Sequence, residues 1–336
     1  MRAILGLIVA GIGLWGCGKS PQNPPAAASD QSAGGEAAKK TYVIGVVAKS
    51  RSNQVFQAAW KGAKDAARDL SKKYDAQISI NWRTPNNEDA QQQAQFVEQL
   101  TSQGVDGLAI SVSDANILTD AIRGAVDQGV VVVCFDSDAP QSGRMAYYGV
   151  DDVAAGRKVM EELAAQMGGQ GTVAILAGNQ SAPNLQARVQ GVKEEAAKSP
   201  GITIRDVYYH PETATDAAAK MQAVQTNDPE IAGWALVGGW PLYTDNALDG
   251  IYEHAKVVSM DPLPLPLEYV KKGQVQVLVG QPYYGWGYES VRMIVEKLIE
   301  DKDPPGQFVY ADFDIVTADN VAEYEGRWER WLKDNN

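Results

Sequence analysis

The sequence predicts an α/β fold made of two doubly wound, parallel-sheet lobes. Short apolar runs alternate with helical patterns along the 336-residue chain, and this alternation restarts after MAYYGVDD, so that it forms two successive series. The runs are apolar throughout, which is typical of parallel strands whose sheet is covered by helices on both faces. Each series therefore predicts one lobe.

The first series starts with the β-rich run YVIGVVA at 42–48. Small or apolar residues then recur three or four positions apart from Val55 to Leu70, as they do on one buried helix face. The remaining elements of this series are AQISINW, a polar helix over 91–103, VDGLAIS, a helix over 116–128 and the run VVVVCFD.

The second series repeats the alternation. Helices are predicted over 154–167, 186–197 and near 214–225, and they are associated with the apolar runs TVAILAG, TIRDVYY and IAGWALVGG. KVVSMD and VQVLVGQ supply two more strands. No repeated sequence relates the two series, so the lobes are expected to share a pattern and not a sequence.

The N-terminus predicts export and anchoring. Residues 1–16 have one positive charge at Arg2 followed by an apolar run, which is the layout of a secretory signal. LWGC resembles the lipobox of bacterial lipoprotein signal peptides, so we expect Cys17 to be lipidated; the alternative is an uncleaved signal anchor. Residues 17–41 are rich in Pro, Ala, Ser and Gly without an apolar period, which predicts a flexible tether. The protein is therefore expected to be extracytoplasmic and lipid-anchored to a membrane.

Composition excludes several classes of function. With 42 acidic against 30 basic residues the net charge is −12, and no basic cluster stands out, so nucleic acid is not an expected partner. The only cysteines are Cys17 and Cys134, which leaves no disulfide framework and no cysteine metal cluster. The two histidines, His210 and His254, lie in separate segments. We predict neither a metal site nor a cofactor.

Polar residues follow several of the predicted strands at the point where each strand ends. VVVVCF is followed by Asp136, KVVSM by Asp261 and VQVLVG by Gln281. In open α/β sheets ligands bind beyond the carboxyl ends of the strands, where loops converge. One such Asp would fit the N-cap of the next helix equally well, but several of them in an exported chain favour a ligand-binding cleft.

Several motifs carry a family resemblance. They are the D-x-D-x-P-x-S-G-R run that starts at Asp136, the N-x-x-x-R-x-x-G spacing that starts at Asn184, and GQ-x-x-Y from Gly280. Together with IGVVAKSRSNQVFQAAWKGAKDAA and VVSMD, they resemble the type I periplasmic sugar-binding proteins of the ribose- and glucose-binding group, and above all its thermophilic glucose-binding subgroup. The resemblance covers 42–336.

The resemblance implies the type I periplasmic binding protein fold, in which two lobes are joined by a three-crossing hinge. The crossings are expected near 149–151, 280–282 and 311–314. The implied lobes are an N-terminal lobe of 42–148 plus 282–311 and a C-terminal lobe of 149–281 plus 312–336.

The resemblance also implies a ligand site in the cleft between the lobes. Asp136 would accept hydrogen bonds from sugar hydroxyls, and Arg188 would face it from the other lobe. Asp138 would either reach the ligand or order the following turn by meeting Arg144. Trp240 would either cover a sugar face or pack at a helix start. The expected ligand-binding residues are Asn53, Phe56, Asp136, Asp138, Asn184, Arg188, Trp240, Asp261 and Gln281.

Two departures from the family pattern affect this pocket. Gly238 and Gly239 stand where relatives commonly have an asparagine, and Val55 stands where relatives have an aromatic residue. Because both changes touch the pocket, the identity of the sugar is the least constrained inference.

The function implied by the resemblance is binding without catalysis. A monomer would bind a monosaccharide, a glucose-like pyranose being favoured, and deliver it to the permease of an ABC importer. The alternative is a sensory receptor domain that presents a sugar, polyol or autoinducer-like ligand to a chemoreceptor or histidine kinase. A glycosidase built on Asp136 and Asp138 is disfavoured, because residues two apart that straddle a strand end are poorly placed to flank one glycosidic bond.

Overall fold

A computed structural model describes residues 39–180 and 182–333 of the chain. The predicted signal peptide, Cys17 and most of the predicted tether lie outside these residues. The described chain forms two six-stranded sheets with helices on their faces, which confirms the predicted fold class. None of the described helices is both long and apolar enough to cross a membrane.

The first sheet belongs to the N-lobe and is parallel throughout. Its strands are β1 (Thr41–Val47), β2 (Gln77–Trp82), β3 (Gly107–Ile110), β4 (Val131–Phe135), β5 (Ala146–Gly149) and, from late in the chain, β11 (Phe308–Tyr310). Their order across the sheet is β11-β5-β4-β3-β1-β2.

The second sheet belongs to the C-lobe and has the corresponding order β12-β10-β9-β8-β6-β7, with only β12 antiparallel to its neighbour. Its strands are β6 (Gln170–Ala177), β7 (Gly201–Tyr209), β8 (Ile231–Leu236), β9 (Lys256–Met260), β10 (Val277–Gly280) and β12 (Asp314–Val316).

Helices connect and cover the strands. They are α1 (Gln54–Tyr74), α2 (Ala90–Ser102), α3 (Ala115–Asp127), α4 (Asp152–Gln166), α5 (Pro183–Ala196), α6 (Ala214–Asn227), α7 (Pro264–Lys271), α8 (Tyr283–Glu300) and α9 (Val321–Leu332).

The apolar run before Asp136 shows why these strands lack a polar face. Side chains of β4 alternate between the two faces of the sheet: Val132 and Cys134 belong to the core beneath α2 and α3, whereas Val133 and Phe135 belong to the core beneath α1 and α8. All four are almost completely buried. Burial also raises the pKa of the Cys134 thiol, which is therefore a core residue and not a nucleophile.

The strand order places a cleft at the carboxyl ends of both sheets. In each sheet the first strand of the series lies between the next two, so that chain direction across the sheet reverses at β1 and at β6. Loops leave this switch point toward opposite faces and open a crevice there. The two crevices line one common cleft.

The chain passes between the sheets three times, from β5 to α4, from β10 to α8 and from β11 to β12. These passages lie at the expected crossings. The C-terminal helix α9 packs against both lobes: Nε1 of Trp328 donates to the carbonyl of Pro262, 2.6 Å away, and the ring of Trp331 stacks on Tyr284 of α8. The predicted assignment of 312–336 to the C-lobe thus describes only part of the packing of α9.

Replacing Gly287 by Ala is expected to destabilise the N-lobe. A Cβ on Gly287 of α8 would collide with the carbonyl oxygen of Ala59 on α1, so the two helices would have to separate. Overpacking of this kind costs about 1–3 kcal/mol of the free energy of unfolding, which urea denaturation measures. Gly124 of α3 is the matched control, since a Cβ there meets nothing within 4 Å and Ala in a helix is favoured by up to about 1 kcal/mol. Equal stabilities for the two variants would contradict this packing.

Candidate functional site: the interlobe cleft

The cleft encloses about 1290 Å³ and is lined by both lobes. Strand ends and helix starts supply most of the lining, which places polar side chains on rigid elements. Eight of the nine predicted ligand-binding residues line it, namely Asn53, Phe56, Asp136, Asn184, Arg188, Trp240, Asp261 and Gln281.

Asp136 offers one free carboxylate oxygen to the cleft. It follows β4 with a φ of 60°, a left-handed conformation that Asp and Asn tolerate better than other residues with side chains. Its Oδ2 accepts a hydrogen bond from Ser111 Oγ at 2.6 Å and lies 3.3 Å from Nζ of Lys49. Among the described residues no donor binds its Oδ1, so this oxygen can accept a hydroxyl hydrogen from a ligand.

Asp261 occupies the matching position after β9 and has the same left-handed backbone, with a φ of 70°. Its carboxylate, however, is bound by the protein on both oxygens. Oδ1 accepts from Gln281 and Tyr283, at 2.9 Å each, and Oδ2 accepts from Gly239 N and Tyr243 OH, at 3.2 and 3.4 Å. Asp261 therefore holds the cleft wall in place.

Arg188 connects the C-lobe to the hinge. The guanidinium is buried, and it donates to Asp152 Oδ1 at 2.8 Å, to the carbonyl of Val237 at 3.1 Å and to Oε1 of Gln281 at 3.0 Å. Gln281 in turn donates to Asp261, so the four side chains form one chain of hydrogen bonds. Two of the five guanidinium N–H groups have no partner among the described residues and remain for a ligand.

Aromatic rings flank these polar groups. Phe56, in the first turn of α1, is buried in the cleft wall and stacks on Trp286, with ring centroids 6.0 Å apart. Asn53 is the N-cap of α1, because its Oδ1 accepts from the amide of Val55. On the C-lobe side Trp240 starts a short 3-10 helix, and its ring lies 5.5 Å from that of His210.

Asp138 does not line the cleft. Both of its oxygens accept hydrogen bonds from Arg144, Oδ1 from Nε and Oδ2 from Nη2, at 2.5 Å each. Arg144 also donates to the carbonyl of Gln307 beside β11. Of the two expected roles, the geometry fits the ordering of the turn, and we do not include Asp138 among the proposed ligand contacts.

The structure adds charged and polar cleft residues that the sequence reasoning missed. These are Lys49, Glu88, His210 and Glu212. Burial disfavours the charged form of Lys49, but nearby carboxylates, above all that of Asp136, outweigh it and raise the pKa of the ammonium. Lys49 and His210 lie just past the ends of β1 and β7, so the strand-end rule that found Asp136 applies to them as well. No group of side chains suited to hold a metal ion occurs within 39–180 and 182–333.

The buried carboxyl of Asp152 is expected to make stability depend on pH. Burial raises its pKa from 3.8 to about 6, although the neighbouring Arg188 opposes the shift. Between these values the folded chain binds more protons than the unfolded chain, so the contribution of Asp152 to the free energy of unfolding falls as the pH rises. Urea denaturation across this window should show a smaller decrease for Asp152→Asn than for the unmodified chain. Identical slopes would mean that Asp152 does not titrate there.

Comparison with known proteins gives a consistent result. Residues 44–302 match the family described as periplasmic binding protein domain. A solved structure of an ABC transporter solute-binding protein from Burkholderia graminis, in complex with D-arabinose, superposes with a TM-score of 0.77 at 27% identity. The superposition covers 85% of this chain and 98% of that chain.

Two curated relatives are similar over shorter stretches. The xylitol-binding protein of Mycolicibacterium smegmatis is 29% identical over 38% of this chain and 36% of its own length. The D-ribose/D-allose-binding protein of Pseudomonas aeruginosa is 29% identical over 45% of this chain and 48% of its own length. The chain thus spans about half or less of the length of these relatives.

Proposed function

The chain belongs to the periplasmic binding protein family, and from this premise we propose that it is the solute-binding component of an ABC importer. It binds one monosaccharide or related polyol in the interlobe cleft and releases it unchanged. It acts outside the cytoplasm, as a monomer that docks on a membrane permease.

One observation carries this proposal. The free Oδ1 of Asp136 in the N-lobe and the two remaining N–H groups of Arg188 in the C-lobe belong to the same cleft. A sugar hydroxyl both donates and accepts, so adjacent hydroxyls can bind the carboxylate on one side and the guanidinium on the other. A ligand bound in this way bridges the two lobes and favours closure about the hinge.

The ligand class follows from the same groups. The ligands named for the similar proteins, D-arabinose, xylitol, D-ribose and D-allose, are uncharged and rich in hydroxyls, which supports a ligand of that class. Within it we propose a glucose-like pyranose, because the D-x-D-x-P-x-S-G-R run is that of the glucose-binding subgroup. Phe56 and Trp240 would pack on the C–H faces of its ring.

A thermal-shift screen of pentoses, hexoses and polyols tests the function. A ligand at 100 times its dissociation constant stabilises the folded state by about 2.7 kcal/mol, which gives a clear rise in the unfolding temperature. Sugar acids of the same size provide the comparison. The proposal is wrong if no sugar or polyol raises the transition temperature.

The site of action rests on the N-terminal sequence. We propose that lipidated Cys17 anchors the chain to the outer face of a membrane and that residues 17–41 give the globular part its reach. Cell fractionation checks this: the unmodified chain should sediment with membranes, whereas Cys17→Ser should not. Equal membrane association of both forms would exclude the lipid anchor.

A further inference from the structure

His210 is held in one tautomer by its own loop. It follows β7 in the C-lobe wall of the cleft, and only 5% of its surface is exposed. Its Nδ1 lies 2.6 Å from the carbonyl oxygen of Pro211, and because a carbonyl only accepts, Nδ1 carries the hydrogen. Burial lowers the pKa of the imidazole, which is therefore neutral at pH 7. Nε2 is then a hydrogen-bond acceptor with a free lone pair.

This acceptor is buried without a partner. Nε2 of His210 receives no hydrogen bond from any residue that the structure describes, and it is closed off from solvent. A buried polar atom left unpaired costs about 1–3 kcal/mol, and such atoms are rare unless they have a use. The aromatic ring packed on His210 is that of Trp240, at an interplanar angle of 71°.

Trp240 is placed so that it can move. Its side chain is only partly buried, and it faces the open volume of the cleft. Its ring occupies the space that a Cβ on Gly238 would need. The absence of a side chain at Gly238, where relatives commonly have asparagine, thus permits this resting position of the ring.

We propose that Trp240 is a movable cover over His210 and that Nε2 of His210 accepts a hydrogen bond from a ligand hydroxyl once the cover has turned. The inference rests on the proposed function and adds a specificity-determining residue to its site. In the free protein Trp240 shields the unpaired nitrogen. In the complex the indole packs on a C–H face of the ligand, and Nε2 binds a hydroxyl hydrogen.

This arrangement selects for one hydroxyl group. A ligand that lacks it displaces Trp240 but leaves Nε2 unpaired, so it does not recover the cost of the buried acceptor. Sites that hydrogen-bond a particular hydroxyl discriminate strongly against analogues without it. Loss of the acceptor should weaken binding by about five- to 150-fold, which corresponds to the cost of one unpaired buried group.

Nitrogen NMR of the imidazoles tests the proposal directly. The chain has two histidines, so the protein labelled with ¹⁵N-histidine and purified without a histidine tag gives two ring systems. The exposed His254 is assigned by His254→Asn. The probe is whichever of D-arabinose, D-ribose and xylitol gives the largest thermal shift. We expect the Nδ1–H tautomer for His210 in the free protein and an upfield shift of Nε2 when the probe is added.

Two variants complete the experiment. His210→Asn keeps a donor near the position of Nδ1 and removes Nε2, so it should weaken probe binding without lowering stability in the free state, whereas His254→Asn should change neither. Gly238→Ala displaces the ring of Trp240, so Nε2 of His210 should shift upfield even without the probe.

The outcomes separate the two proposals. If none of the three probes raises the transition temperature of the unmodified chain and no other sugar or polyol does, the proposed function fails. If a probe binds but Nε2 of His210 does not shift, or if the free protein has the Nε2–H tautomer, the function stands and the role of His210 is excluded. Unchanged affinity of His210→Asn for a bound probe excludes it as well.

Discussion

Replacing Asp136 by Asn is expected to weaken sugar binding by about 10- to 150-fold while the fold is retained. Hydrogen bonds to charged groups contribute about 1.5–3 kcal/mol, which corresponds to that loss of affinity. Asn tolerates the left-handed backbone at this position, where φ is 60°, so the substitution removes the charge without straining the chain. Isothermal titration with the sugar identified by thermal shift measures the change.

Asp138→Asn is the matched control for this experiment. It removes a carboxylate of the same loop that is bound to Arg144 and does not line the cleft. We expect it to lower the unfolding temperature, because Arg144 loses its buried partner, and to leave the affinity unchanged. Equal losses of affinity in the two variants would remove Asp136 from its proposed role as the ligand acceptor.

Replacing Arg188 by Met is expected to lower the free energy of unfolding by about 3–5 kcal/mol, because it breaks a buried ion pair by removing one partner. The substitution leaves the carboxylate of Asp152 without its cation and the carbonyl of Val237 without its donor. Met matches the length of the side chain, so the loss reflects charge and hydrogen bonding more than packing. Urea denaturation at neutral pH measures the effect.

A double-mutant cycle with Asp152→Asn shows whether the loss comes from this pair. Once Asp152 is neutral, removal of Arg188 no longer strands a buried charge, so the double variant should lose less than the sum of the single variants. Coupling between contacting groups is about 0.5–3 kcal/mol. Additive losses would show that Arg188 stabilises the lobe through its other contacts.

The fold was predictable because its signals are local and repeated. Apolar runs such as that before Asp136 are long enough to be identified as buried strands, and helix faces such as Val55–Leu70 have a clear period; the structure has β4 at Val131–Phe135 and α1 at Gln54–Tyr74. The alternation also orders the strands, because parallel strands need crossover connections. The packing of α9 on both lobes has no such signal, since it depends on contacts with helices distant in sequence.

The candidate site was predictable in its location and only partly in its chemistry. The strand-end rule placed Asp136, Asp261 and Gln281 in one cleft, but it could not distinguish a carboxylate with a free oxygen from one bound on both sides. That difference depends on donors such as Tyr243 and Tyr283, which are close to Asp261 only in the folded chain. Asp138 illustrates the same limit: its partner Arg144 lies only six residues away, yet the sequence fitted contact with the ligand equally well.

A crystal structure of the protein with the sugar or polyol that gives the largest thermal shift tests the central claim most directly. The account predicts one ligand molecule in the interlobe cleft, with a hydroxyl within hydrogen-bonding distance of Oδ1 of Asp136 and another group bound to the guanidinium of Arg188. A ligand bound outside the cleft, or one inside it that touches neither of these side chains, would contradict the account.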